Sequence, residues 1–172
     1  MPGYEARVVA DDGTPLPAGQ VGKRAVRGAT GCRYLADARQ SSYLKNGWNL
    51  IGDAYLMDAD GYFHYQSRTD DMIVSTGYNI ASVEVEDALM QHPQVAECGV
   101  IGVADAQRGQ IVKAFVVLRA GAEPSEVLVM ELQDFVKRTV APYKYPRAIE
   151  FRSALPRTET GTLQRFRLRE AA

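Results

Sequence analysis

Ser67-Arg68-Thr69-Asp70-Asp71-Met72-Ile73-Val74-Ser75-Thr76-Gly77-Tyr78-Asn79-Ile80 divides the chain into two differently built halves. Arg68 is a planar cationic fork that can bind hydroxyl pairs or oxyanions through two hydrogen bonds. Asp70 and Asp71 are adjacent like charges that favour water, so this join is expected to be exposed and bendable. Met72-Ile73-Val74 is a short apolar run, read as a strand. Ser75-Thr76-Gly77 follows as a turn whose glycine permits positive φ or a close backbone approach. A surface Arg–Asp pair followed by an ordinary strand and turn is the plainer reading of the same residues.

Upstream, strands are expected at Tyr4 to Val9 and Val21 to Arg27, with turns at Asp11 to Pro17 and Gly28 to Gly31. Asp37 to Leu44 is read as a short helix. Gly47 to Asp53 is read as a loop feeding a strand from Ala54 to Met57. Asp60-Gly61 marks a hairpin turn, and Tyr62 to Tyr65 returns as the partner strand. This half is expected to be a small all-β subdomain.

Downstream the period changes. Ser82 can cap a helix, Glu84 and Glu86 suit its positive start, and Val85, Ala88 and Leu89 share a face. His92-Pro93 ends it. Val95 to Val103 and Gln110 to Leu118 read as a strand hairpin. Pro124-Ser125 opens a second helix, with Leu128, Leu132, Phe135 and Val136 at helical spacing. Ala148 to Phe151 closes the pattern as a strand. The fold class is therefore α+β: a small all-β subdomain over residues 1–69, then a split βαββαβ domain over 70–172 with helices packed on one face of a sheet.

The chain has 172 residues, 46% hydrophobic and 24% charged, which suits a globular protein of one domain or two small ones. A formal net charge of -1 offers no general attraction to nucleic acid or to an anionic membrane. Met1 to Glu5 lacks a signal-peptide pattern, and no apolar run approaches the ~20 residues that span a bilayer. The expected setting is cytoplasmic. Cys32 and Cys98 are too isolated for a disulfide framework or a metal site, and Cys98 is expected to be a buried thiol. His64 and His92 have no spaced partner for metal binding or nucleophilic catalysis.

Two further features could carry chemistry. Asp53, at an expected loop–strand junction, could accept hydrogen bonds from a vicinal diol such as a ribose; a turn or capping aspartate is the alternative. Lys144, Arg147, Arg165 and Arg167 belong to a basic cluster near the end of the chain. That cluster is either a solvated face or a patch for phosphates. Aromatic residues are too sparse there to indicate single-stranded nucleic acid.

Taken together, these residues resemble the adenylate-forming enzymes: acyl- and aryl-CoA synthetases, peptide-synthetase adenylation domains and beetle luciferases. Their hinge motif runs Gly-Arg-x-Asp-x-x-Ile-x-x-x-Gly-x-x-Ile-x-x-x-Glu-Val/Ile-Glu. Arg68, Asp70, Ile73, Gly77, Ile80, Glu84 and Glu86 meet it, with Ser67 in place of the first glycine. Gly52-Asp53 is similar to the family's Thr-Gly-Asp motif, with Ile51 for threonine. Pro156 to Arg165 resembles the C-terminal Pro-x-x-x-x-Gly-Lys-x-x-Arg motif, with Thr162 at the lysine position. The wording of residues 31–37 and 141–147 is most similar to benzoate- and aminobenzoate-CoA ligases.

The resemblance implies a role for each position. Asp53 and Arg68 would bind the ribose and phosphate region of ATP or AMP. Asp70 would be the hinge about which a mobile domain turns between acyl-adenylate and thioester formation. Gly77 would line the pantetheine path, and Lys144, Arg147, Arg165 and Arg167 would meet CoA phosphates. Thr162 carries no charge where the family's lysine meets the developing phosphate charge, so adenylation is expected to be impaired. The implied reactants are a carboxylate, aromatic by its wording, with ATP and CoA. The phosphate loop, acyl pocket and Mg site lie in an N-terminal region that this sequence does not contain. The chain is not expected to be active alone. Its β-rich face, built to lie against that larger domain, is expected to drive self-association. The competing reading is a stand-alone, non-catalytic binding module; a third is the small domain of a carrier-protein-dependent adenylation enzyme.

Overall fold

The computed structural model describes residues 2–29 and 43–172. They form two compact units, Met1–Asp70 and Asp71–Ala172.

The first unit is an antiparallel sheet. Its strands are β1 (Glu5–Val9), β2 (Val21–Arg27), β3 (Leu44–Lys45), β4 (Trp48–Met57) and β5 (Phe63–Arg68). β2 runs along one edge of β4, while β3 and β5 share the other. Val9, Ala25, Trp48 and Leu50 form its core, and the Arg7 guanidinium lies 3.8 Å from the Trp48 ring centre. That stacking covers the indole with a cation whose charge faces the ring's negative π-surface.

One expectation is corrected here, and another lies mostly outside the described residues. Residues 48–53, read as a loop, belong to β4. The cause is the turn before them: Asn46 at φ 51° and Gly47 at φ 78° join β3 to β4 in two residues. Positive φ at both central positions matches the twist of paired strands, which is why Asn-Gly favours such hairpins. The helix expected over Asp37–Leu44 falls outside the described residues as far as residue 42, and Leu44 is in β3.

The second unit contains β6 (Met72–Ser75), β7 (Tyr78–Ala81), α1 (Ser82–Met90), β8 (Val95–Asp105), β9 (Gly109–Leu118), α2 (Glu126–Thr139), β10 (Ala148–Phe151) and α3 (Arg165–Glu170). β9 is central. It pairs antiparallel with β8 along its length, parallel with β10 over Lys113–Val116, and with β6 at Gly109. Val85, Ala88 and Leu89 of α1 meet Leu128, Leu132 and Val136 of α2 over Val100, Val112, Ala114 and Val116. Leu128 N–H donates to Ser125 Oγ at 3.1 Å, which caps the helix expected to open at Pro124-Ser125.

The opposite face is also covered. Ile101 and Phe115 pack with Leu155 and Leu168, the latter on α3. The expectation of helices on one face therefore holds for α1 and α2, and α3 takes the other. Three basic residues and two apolar ones in six positions do not form a legible period. Ser82 is corrected too. Ala81 occupies the cap position without a side-chain bond, and Ser82 Oγ instead donates to the Asp71 carbonyl.

Candidate functional site

In the first unit, Asp53 and Arg68 are directly opposite partners in the β4–β5 register. Arg68 Nε lies 3.4 Å from Asp53 Oδ1 and donates to the Gly52 carbonyl at 3.2 Å. The ladder orients them: both lie beside the irregularity after Ala54, where the register shifts by a residue. Such bulges re-aim side chains near a sheet edge. Their side chains are 35% and 61% exposed, so the pair presents an acceptor and a donor fork to solvent. This arrangement can hold a diol on the carboxylate and an oxyanion on the guanidinium.

Asp70 lies exposed in the 3-10 turn Thr69–Asp71 that joins the two units. Asp71 does not share its exposure, contrary to the expectation for the pair. Its side chain is 16% exposed and is met by Arg169 at 2.6 Å and Arg165 at 3.6 Å. Gly77 follows Thr76 in the two-residue β6–β7 turn, with φ 81° and 52°. A Cβ on Gly77 would meet nothing within 4 Å, so within this unit the glycine answers to backbone conformation rather than space. Thr76 N–H donates to the Arg108 carbonyl at 2.9 Å, and Arg108 Nη1 reaches Thr76 Oγ1 at 3.3 Å. Threonine is rare at positive φ, and these bonds tie it to the β8–β9 turn.

Thr162 is exposed in a tight turn. Thr158 N–H donates to its carbonyl at 2.9 Å, and Thr162 N–H donates to Thr158 Oγ1 at 3.0 Å. Arg157 ties this turn inward by pairing with Glu97 and donating to the Gly161 carbonyl. Leu163 then packs on β8, where Gly99 leaves the room: a Cβ there would lie 2.9 Å from Leu163 and 3.0 Å from Leu168.

Residues 84–162 match the family model of the AMP-binding enzyme C-terminal domain. Over that stretch the chain is similar to this domain. An uncharacterized acyl-CoA ligase of Bacillus subtilis, YtcI, is 43% identical over 173 residues, which covers 98% of this chain and 33% of that protein. The crystal structure of the anthranilate CoA ligase AuaEII with anthranoyl-AMP is 42% identical. It covers 99% of this chain and 34% of that one, with a TM-score of 0.78. An ATP-bound RpMatB-BxBclM chimera superimposes with a TM-score of 0.81 at 35% identity, again over 99% and 35% of the two chains. The chain thus spans about a third of the length of the curated relatives it matches.

In the second unit, the four basic residues expected to meet phosphates have different surroundings. Lys144 donates to both Glu84 carboxylate oxygens at 2.6 Å and is 16% exposed. Arg165 meets Glu86 at 2.6 Å and is 19% exposed. Arg147 donates to Tyr145 Oη at 2.8 Å, and Arg167 is exposed beside Phe166. Two of the four are therefore already neutralised by carboxylates. The Glu86–Arg165–Asp71–Arg169 network was not legible beforehand; acidic residues paired with a distant basic tail leave no local pattern. His92 is buried, with Nε2 3.3 Å from Glu131, and Gln94 N–H points at its Nδ1. Among the described residues, no group of three or more His, Cys, Asp or Glu could hold a metal ion. No helix among them is long and apolar enough to cross a membrane.

Proposed function

We propose that this chain is the nucleotide-clamping and thioester-forming part of an ATP-dependent carboxylate–CoA ligase acting on an aromatic acid. The observation that carries the reading is the direct opposition of Asp53 and Arg68 on β4 and β5. Asp53 accepts hydrogen bonds from the ribose hydroxyls of the adenylate, and Arg68 meets the ribose or phosphate oxygens. Asp70 is the hinge between half-reactions, because one site must serve two different transition states. The β6–β7 turn at Gly77 lines the approach of the pantetheine thiol. Arg147 and Arg167 remain the better candidates for CoA phosphates, since Lys144 and Arg165 are engaged. Homology to an anthranilate CoA ligase structure supports the aromatic acid.

The test is an NMR titration of the chain with AMP and with 2′,3′-dideoxy-AMP. AMP should shift amides around Asp53 and Arg68, the dideoxy nucleotide should not, and Asp53→Asn should weaken AMP binding about tenfold, the loss of one charge-assisted hydrogen bond. Equal shifts by both nucleotides would overturn the clamp.

Thr162 favours a second reading, a non-catalytic binding module that keeps the fold, because a neutral hydroxyl replaces a cation in its turn. Self-association through the β-rich unit, where Tyr4, Leu44, Tyr62 and Tyr65 are exposed, belongs to both readings. Sedimentation of the chain at high concentration tests it, a clean monomer counting against it.

A further inference from the structure

The second unit begins at Asp71, and Asp71 is held there by three side chains. Arg169 Nη2 lies 2.6 Å from Oδ1, Arg165 Nη1 lies 3.6 Å from Oδ2, and Ser82 Oγ donates to its carbonyl. Both arginines stand on α3, at the far end of the sequence. Arg165 is itself fixed by Glu86, whose other oxygen accepts Val100 N–H at 2.8 Å. The connection therefore runs from the joining turn through α3 into α1 and β8. It continues into the Thr162 turn, because Arg165 follows that turn by three residues and Leu163 and Leu168 both seat on Gly99.

We propose that Arg165 and Arg169 are positioning residues that set the downstream limit of the hinge. By fastening Asp71 to the second unit they confine backbone rotation to Asp70. They also make the joining turn and the Thr162 turn parts of one body. A swivel at Asp70 then carries the Thr162 turn by the full rotation, with none absorbed by slack beyond the hinge. This rests on the reading of Asp70 as the hinge. The physical reason for two arginines is charge balance with Asp71 and Glu86: Arg169 hydrogen-bonds one Asp71 oxygen, and Arg165, held by Glu86, faces the other as an ion pair at 3.6 Å.

The experiment is 15N relaxation of the whole chain, comparing it with Arg169→Gln and with Arg165→Gln/Arg169→Gln. In the unchanged chain, squared order parameters should dip at Asp70 and return to about 0.85 from Asp71 onward. In the variants the dip should spread to Asp71 and Met72, below about 0.6, while β9 amides keep their values. Arg169→Lys should restore part of the rigidity. If the double variant does not fold, Arg169→Gln alone, which keeps the Arg165–Glu86 pair, decides the matter. Order parameters at Asp71 and Met72 that stay high in a folded variant overturn the proposal, as does a uniform loosening of the whole unit. Failure of the hinge reading itself shows separately, as no μs–ms exchange near Asp70 by relaxation dispersion in any form, a result distinct from exchange there with order parameters that the variants leave unchanged.

Discussion

Glu86 Oε2 lies 2.6 Å from Arg165 Nη2, across 79 residues of sequence, and Glu86 Oε1 accepts Val100 N–H at 2.8 Å. One carboxylate thus ties α1, β8 and α3 together. The two side chains are 13% and 19% exposed, so removing either leaves a charge with little water to replace its partner. Glu86→Ala should lower stability by about 3 kcal/mol, as for a broken buried pair. Arg165→Ala should cost a similar amount, and the double variant clearly less than their sum. Urea unfolding at pH 7 measures all three.

The β6–β7 turn gives a prediction of a different kind. Gly77 sits at φ 81° with open space around its Cβ direction. Gly77→Ala should cost about 1–2 kcal/mol, from backbone conformation alone. Gly77→Asn should cost less, because asparagine tolerates this region. If the two substitutions cost the same in thermal denaturation, conformation is not what selects glycine here.

These two sites also mark how far the sequence could be read. The Gly77 turn was legible because turn chemistry is local and glycine marks it, although the positive φ at Thr76 leaves no mark in the sequence. α2 was legible for the same reason, its opening Pro124-Ser125 and its apolar period lying within one short stretch. By contrast, the first residues of β4 were misread as a loop, although Asn46-Gly47 carried the signal for the hairpin. Asp71 was placed in water because the charges that neutralise it come from Arg165 and Arg169, at the other end of the chain. α3 was missed because a short helix needs a tertiary surface, here Ile101 and Phe115, to make sense of its single buried Leu168. Long-range charge pairing and short docked helices are properties of the folded chain and leave little periodicity to find.

At the β4–β5 hairpin, Asp58 accepts a hydrogen bond from His64 Nε2 at 2.7 Å and others from Tyr62 and Asp60 N–H. The His64 hydrogen bond, then the Tyr62 amide, hold its carboxyl below the ordinary value of 3.8. A carboxylate depressed in the folded state stabilises the fold above 3.8, and that contribution is lost as pH falls through the lower folded value. The Asp58 carboxyl carbon should titrate below 3.8 by NMR and move toward 3.8 in His64→Ala. An unchanged midpoint in that variant would remove His64 as the cause.

Cys98 moves the opposite way. Burial, then the negative charge of Glu86, pushes its thiol from 9.0 up to about 12. Below pH 9 both folded and unfolded forms keep the proton, and stability is unaffected. Between 9 and 12 the unfolded thiol ionises while the folded one does not, so stability falls as pH rises. Cys98→Ala should flatten that decline relative to the unchanged chain. At pH 8, modification of Cys98 by a disulfide reagent, located by peptide mapping, should be slow in the native chain and fast in urea.

Thr162 carries the sharpest functional expectation. Its turn is exposed and is held by Thr158 and Arg157, so a longer side chain can be placed there without disturbing the core. Negative charge builds where a carboxylate attacks the α-phosphate, and a cation delivered to that point lowers the barrier. Within an anthranilate CoA ligase carrying this chain in place of its matching third, Thr162→Lys should raise carboxylate-dependent pyrophosphate exchange by about 100-fold. Thioester formation from supplied acyl-adenylate should change little, because the role proposed for a cation at this position is confined to adenylation. Exchange that stays flat while the chimera folds and binds ATP would mean that Thr162 does not limit adenylation, and the non-catalytic reading of this domain would gain accordingly.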